Sequence, residues 1–184
     1  MPEAGAPALP EWESFYVIVG SSAAALTGLM FVVITLVAER RGPQTGRAIG
    51  AFASPTVVHF CAALLVSAVL SAPWRSVATA ADVVGVMGLL GVGYAAIVVR
   101  RARAVSVYRA VLEDWVWHAL LPLVAYVDFA IAGLCLEGFS AGAQFAIAGG
   151  TVLLLLCGIH NAWDAVTYNA LQSGETASRD DPPP

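Results

Sequence analysis

Lysine is absent from this 184-residue chain, whose nine basic residues are all arginine. Without a lysine amine no Schiff base can form, which excludes a retinal-type pigment. Charge of either sign is scarce. Charged residues make up 12%, against about 25% in a typical soluble domain, and the net charge of −4 is too small to imply a charged partner. Cysteine is limited to Cys61, Cys135 and Cys157, an odd number, with no C-x-x-C pair and each inside an apolar run. That excludes a disulfide or redox framework and leaves them as small buried hydrophobes. No Walker loop, GxGxxG, GxSxG, HExxH or zinc-ribbon spacing occurs, so soluble nucleotide chemistry and nucleic-acid binding have no support.

Apolar residues dominate instead. They account for 59% of the chain, with 17 glycines besides, and the mean hydropathy is +0.77. Apolar runs of about 20 residues, the length that spans a bilayer's hydrocarbon, recur along the chain. The composition therefore predicts an all-α, polytopic integral membrane protein with five transmembrane helices, at about 15–38, 48–72, 77–99, 115–137 and 141–170. They form one transmembrane domain, 15–171. Residues 1–14 read as a short extracytoplasmic tail and 172–184 as a disordered cytoplasmic tail. The first run exceeds a signal peptide's apolar region of roughly 7–15 residues, so it is expected to be a retained helix. The basic link at 100–114 reads as a helical extension at the membrane surface.

Arginine placement predicts the orientation. Arg40, Arg41 and Arg47 follow the first helix, and Arg100, Arg101, Arg103 and Arg109 follow the third. Arg179 falls on the same side, and the opposite side keeps only Arg75. By the positive-inside rule the N-terminus is outside and the C-terminus cytoplasmic. Aromatic residues agree: Trp12, Phe15, Tyr16, Trp74 and Phe139 mark one interface, and Tyr108, Trp115, Trp117, Trp163 and Tyr168 the other.

Small residues recur at helical spacing, with Gly20, Ala24 and Gly28 four apart in the first helix and Gly85, Gly88 and Gly91 three apart in the third. Such stripes let helices approach closely, either within the chain or at a subunit interface. The pattern W-x2-F-x4-G-x2-A-A-A-L-T-G-L, from Trp12 to Leu29, resembles the first helix of small bacterial multi-pass membrane proteins with no established function. The resemblance implies a bacterial inner (plasma) membrane protein and supplies no catalytic residues.

Ionisable side chains at membrane depth are costly and usually face a cavity, partner or substrate. All three histidines fall there: His59 in the second helix, His118 in the fourth and His160 in the fifth. Asp128 and Asp164 join them, with Asp114 at the inner mouth. Asp114-x3-His118 and His160-x3-Asp164 each place a pair on one helical face. In two antiparallel neighbours His118 would face His160, and Asp114 would face Asp164. These four are a candidate site for a divalent metal such as Zn, Mn or Fe, or a proton relay. At 1.5 Å per residue, His59 lies roughly 18 Å beyond Arg47 and Asp128 roughly 21 Å beyond Asp114, so both are expected near the midplane, where they could pair. Pro55 and Pro122 each lie four residues from a histidine. Pro122 has no N–H for the carbonyl of His118.

The expected function is therefore membrane transport of a small cation or of protons, as a channel or carrier, through His59, Asp128, His118, His160 and Asp164. Five helices leave little room for an aqueous path and cannot split into equal inverted repeats, so a homo-oligomer is expected. Membrane lipids are the other expected partner. Two alternatives remain open: an intramembrane metal-dependent hydrolase acting on lipid, and a non-catalytic membrane adaptor that binds other helices through its first helix.

Overall fold

A computed structural model describes residues 9–41, 45–104, 112–134 and 140–179. Every regular element among them is helical. A 3-10 turn (Leu9–Trp12) leads into α1 (Glu13–Arg41), followed by α2 (Thr45–Ser71) and α3 (Val77–Ala104). A single turn, α4 (Leu112–Trp115), continues through a π-helical segment (Val116–Leu120) into α5 (Leu121–Leu134), and α6 (Ala141–Arg179) closes the chain. Because α4, the π segment and α5 are continuous, the described chain is five helical rods. The side chains of Glu39 to Arg41, Arg47, Asp114 and Tyr168, and the whole of Tyr108, Arg109, Cys135, Glu137 and Phe139, lie outside the described set.

Four stretches are long and apolar enough to cross a membrane: Glu13–Leu36, Val77–Arg101, Val116–Leu134 and Ala141–Thr167. In α2 the described apolar stretch is shorter, Pro55–Ser71. One expectation changes at the C-terminal end. Composition suggests a disordered tail from 172, yet α6 continues to Arg179. Extending an existing helix forms one hydrogen bond per residue fixed and carries no nucleation cost.

Many large apolar side chains face outward, with Ile18, Leu90 and Phe145 65–70% exposed. The interior combines small residues, among them Ala23, Ala63, Ala80, Ala125, Ala132 and Ala143, with the larger Phe60, Phe129, Ile147 and Leu154. Apolar groups on the outside suit a lipid solvent, and the alanines let helices pack closely within it.

Glycines set the closest approaches. In the antiparallel pair α3–α5, a Cβ on Gly88 would run into the backbone of Tyr126 and Ala130, and one on Gly133 into Ala81 and Gly85. The glycine stripe of α3 is thus used inside the chain. In α1 only Gly20 works this way, against Ser67 of α2, whereas Ala24 is exposed and no described residue lies near Gly28. The rod α6 sits between α2 and α5, with Gly158 against the Phe60 ring and Gly150 against Phe129. Rods α2, α6, α5 and α3 form the inner group, and α1 packs outside on α2.

The two ends are chemically distinct. Trp12 stacks edge-on against Phe15 at 5.7 Å and against Phe145 of α6 at 4.7 Å, so α1 and α6 begin at the same end. At the other end the Arg103 guanidinium lies 5.7 Å from the centre of the Trp115 ring. That contact joins the end of α3 to the start of α4, where Arg100, Arg101 and Arg103 are exposed.

Candidate functional site

The π-helical segment begins the site. Within it the Leu121 N–H donates to the Val116 carbonyl, five residues back. The cause is Pro122, which has no N–H and whose ring would press on the carbonyl four residues earlier, that of His118. Widening the turn relieves that clash. Inserting a residue into the turn also rotates the side chains that precede it, and π turns are frequent at functional sites.

Trp117, on the π segment, stacks on His160 of α6 with ring centroids 4.0 Å apart and planes 19° from parallel. Trp117 is therefore what meets His160 across the helix interface. On its own helix, His160 Nε2 lies 3.1 Å from Asp164 Oδ2, an i,i+4 pair as the spacing predicts, with the two side chains 24% and 47% exposed. The carboxylate orients the imidazole, while Trp117 covers one ring face. His118, the neighbour of Trp117, comes within coulombic range of His59 on α2. Asp114, the fourth member of the expected group, has no described side chain.

His59 is the most enclosed ionisable group of the set, at 2% exposure. Its Nδ1 lies 3.0 Å from the Tyr126 hydroxyl on α5. Which partner donates is set by the imidazole tautomer. The other ring nitrogen, Nε2, is buried and has no hydrogen-bond partner among the described residues. Tyr126 reaches this position because its ring lies over Gly91 of α3, where any side chain would collide with it. Tyr126 thus joins three helices, with its ring on α3 and its hydroxyl on α2.

Asp128 does not join His59. Its carboxylate lies beside Gly150 on the α5–α6 seam, while the neighbour of His59, Phe60, meets α6 at Gly158. Those two glycines are separated by roughly 12 Å along the helix. Asp128 is half-buried and forms no ion pair among the described residues. Asp128 and His59 thus occupy different levels of the bundle.

Asn161 is a member that sequence reasoning overlooks. It is 2% exposed, and among the described residues neither its carboxamide oxygen nor its nitrogen has a hydrogen-bond partner. The available signal was a polar residue between His160 and Asp164 in an otherwise apolar run. Tyr126 was overlooked because it reads as one more aromatic in an apolar helix.

Among the described residues no group of three His, Cys, Asp or Glu side chains gathers as a metal-holding set. His160 and Asp164 supply two adjacent donors. The chemistry available in the interior is proton exchange between an imidazole and a phenol, with a second imidazole near by.

Comparison of the chain with known protein families, with characterised proteins and with solved structures gives no match.

Proposed function

We propose that this protein is a multi-pass protein of the cell's inner membrane, N-terminus outside and C-terminus cytoplasmic, that moves protons or a small cation as a homo-oligomer. The observation that carries the reading is His59: an imidazole sealed inside an apolar bundle, bonded to a phenol and within range of a second imidazole. A buried titratable group costs stability unless it is paired, and here the pairing leaves one ring nitrogen open.

The groups form a ladder. Asp164 and His160 stand at the arginine-rich end, partly exposed, where they can exchange protons with water. His118 and then His59 with Tyr126 lie deeper, and Asp128 is farther toward the aromatic end. Beyond His59 the centre is closed by Val66, Leu70, Val84, Phe129 and Ile147, all buried. A single chain therefore offers a polar path over only part of its length, which supports assembly around a shared axis. The half-buried Asp128 is the group best placed to serve such an axis. The exposed Ala24 and Gly28 of α1 offer a surface for close helix contact between copies.

Reconstitution into liposomes tests this reading. Purified protein should pass protons or a monovalent cation, and His118→Ala or Asp128→Asn should each abolish the flux. Undiminished flux in both variants would remove the ladder, and an inert wild-type protein would remove the transport reading.

A further inference from the structure

Two buried side chains with unpartnered polar atoms point into the same part of the bundle. His59 presents Nε2 and Asn161 presents both ends of its carboxamide, each residue being 2% exposed. Leaving such groups dry forfeits their hydration with nothing in return, so native proteins pair nearly all of them with protein or with ordered water.

Their placement follows from the contacts of α6. Gly158 faces Phe60 of α2, and Gly150 faces Phe129 and Asp128 of α5. At about 100° per residue these directions are roughly 80° apart, and Asn161 falls inside that arc, about 20° from the Gly150 direction. Asn161 therefore faces the groove between α2 and α5. His59 faces the same groove from α2, being bonded to Tyr126 of α5 and adjacent to Phe60. The depths agree as well. Asn161 is roughly 4.5 Å along α6 from Gly158, toward the arginine-rich end, and helical side chains lean toward the N-terminus of their own helix. In these antiparallel rods that tilt carries the Asn161 carboxamide and the His59 ring toward one level.

Resting on the transport reading, we propose that the groove between α2, α5 and α6 binds internal water between His59 Nε2 and the Asn161 carboxamide, and that the species carried is the proton. The site is lined by uncharged groups: a carboxamide, a phenol and an imidazole that can each donate or accept. Water needs two to four polar partners and finds them here. Asp128 lies beside Gly150 and Asp164 pairs with His160, so neither carboxylate supplies the charge that a divalent metal ion would need at this water. A proton arriving on this water passes to Nε2 of His59. The His59–Tyr126 hydrogen bond holds the ring in place while Nε2 takes up that proton and later returns it to the water, so the imidazole gains and loses one proton and the phenol keeps its own.

The test uses full-length protein in liposomes with two readouts. Water-edited solid-state NMR should show transfer from water to the Asn161 side-chain amide and the His59 ring. In parallel, pH-dye measurements should show proton flux reduced roughly a hundredfold in Asn161→Leu, the loss expected when a positioned proton-transfer partner is removed. Flux should be partly kept in Asn161→Ser, which retains a water-binding hydroxyl. If Asn161 is a dry orphan, Asn161→Leu will fold at least as stably and conduct like wild type, which overturns the proposal. Absence of water transfer to both residues, while interfacial Trp163 receives it, overturns it equally. Failure of the transport reading is a separate result: no flux in wild type, with the NMR transfer still deciding whether the groove holds water.

Discussion

His59 Nδ1 and the Tyr126 hydroxyl lie 3.0 Å apart at the centre of the bundle and tie α2 to α5 through a hydrogen bond that no other described side chain shares. Tyr126→Phe removes that bond and keeps the ring over Gly91. Interhelical hydrogen bonds in membrane proteins contribute about 0.6–2 kcal/mol, so the loss of stability should fall in that range. Tyr126→Ala should cost more, about 3–5 kcal/mol, because a buried ring is deleted as well. Unfolding in mixed micelles measures both, and equal losses would mean that the bond dominates over packing.

Glycines in α3 make a matched comparison. Gly91 faces the Tyr126 ring, whereas no described residue lies near Gly93, two residues on and exposed. Gly91→Leu should destabilise the protein by about 1–3 kcal/mol or more through overpacking. Gly93→Leu should be neutral or slightly stabilising, because it replaces glycine in a helix. Thermal melting of the two variants in one detergent compares them directly.

At the arginine-rich end, Asp164→Asn separates two roles. The His160–Asp164 pair is partly exposed, and such pairs contribute about 0–1 kcal/mol. Melting should therefore hardly move, whereas flux should fall because His160 loses the carboxylate that orients it. A large change in melting with unchanged flux would assign the pair to structure alone.

Association can be probed apart from folding. No described residue lies near Gly28, so Gly28→Leu should leave the melting of the single chain unaltered. If copies meet through α1, the particle mass by light scattering in detergent should fall toward that of one chain. An unchanged oligomer would move the contact to another face.

Much of this architecture is legible from residue order. Apolar runs of bilayer length locate the rods, since hydrocarbon admits backbone only when every polar group is satisfied along the helix. The His160–Asp164 contact is equally legible because it needs only i,i+4 spacing on one helix. Contacts across helices are harder, because they depend on rotation and level. His59 reads as a partner for Asp128 by depth along its own helix, but the packing of α6 sets those two about eight residues apart at Gly158 and Gly150. Pro122 marks a disturbance in the helix. What it does not reveal is that the disturbance is a π turn that brings Trp117 onto His160. The polar atoms of Asn161 are invisible to periodicity, since an asparagine in an apolar run looks the same whether it is bonded or not.

Proton flux through His59 tests the central claim most directly. Liposomes loaded with a pH dye and given a potassium diffusion potential report it within seconds to minutes. Wild-type protein should collapse the imposed pH gradient, and His59→Leu, whose packing volume is similar, should leave it as stable as in protein-free vesicles. A wild-type rate equal to that of empty vesicles, or an undiminished rate in His59→Leu, would contradict the account.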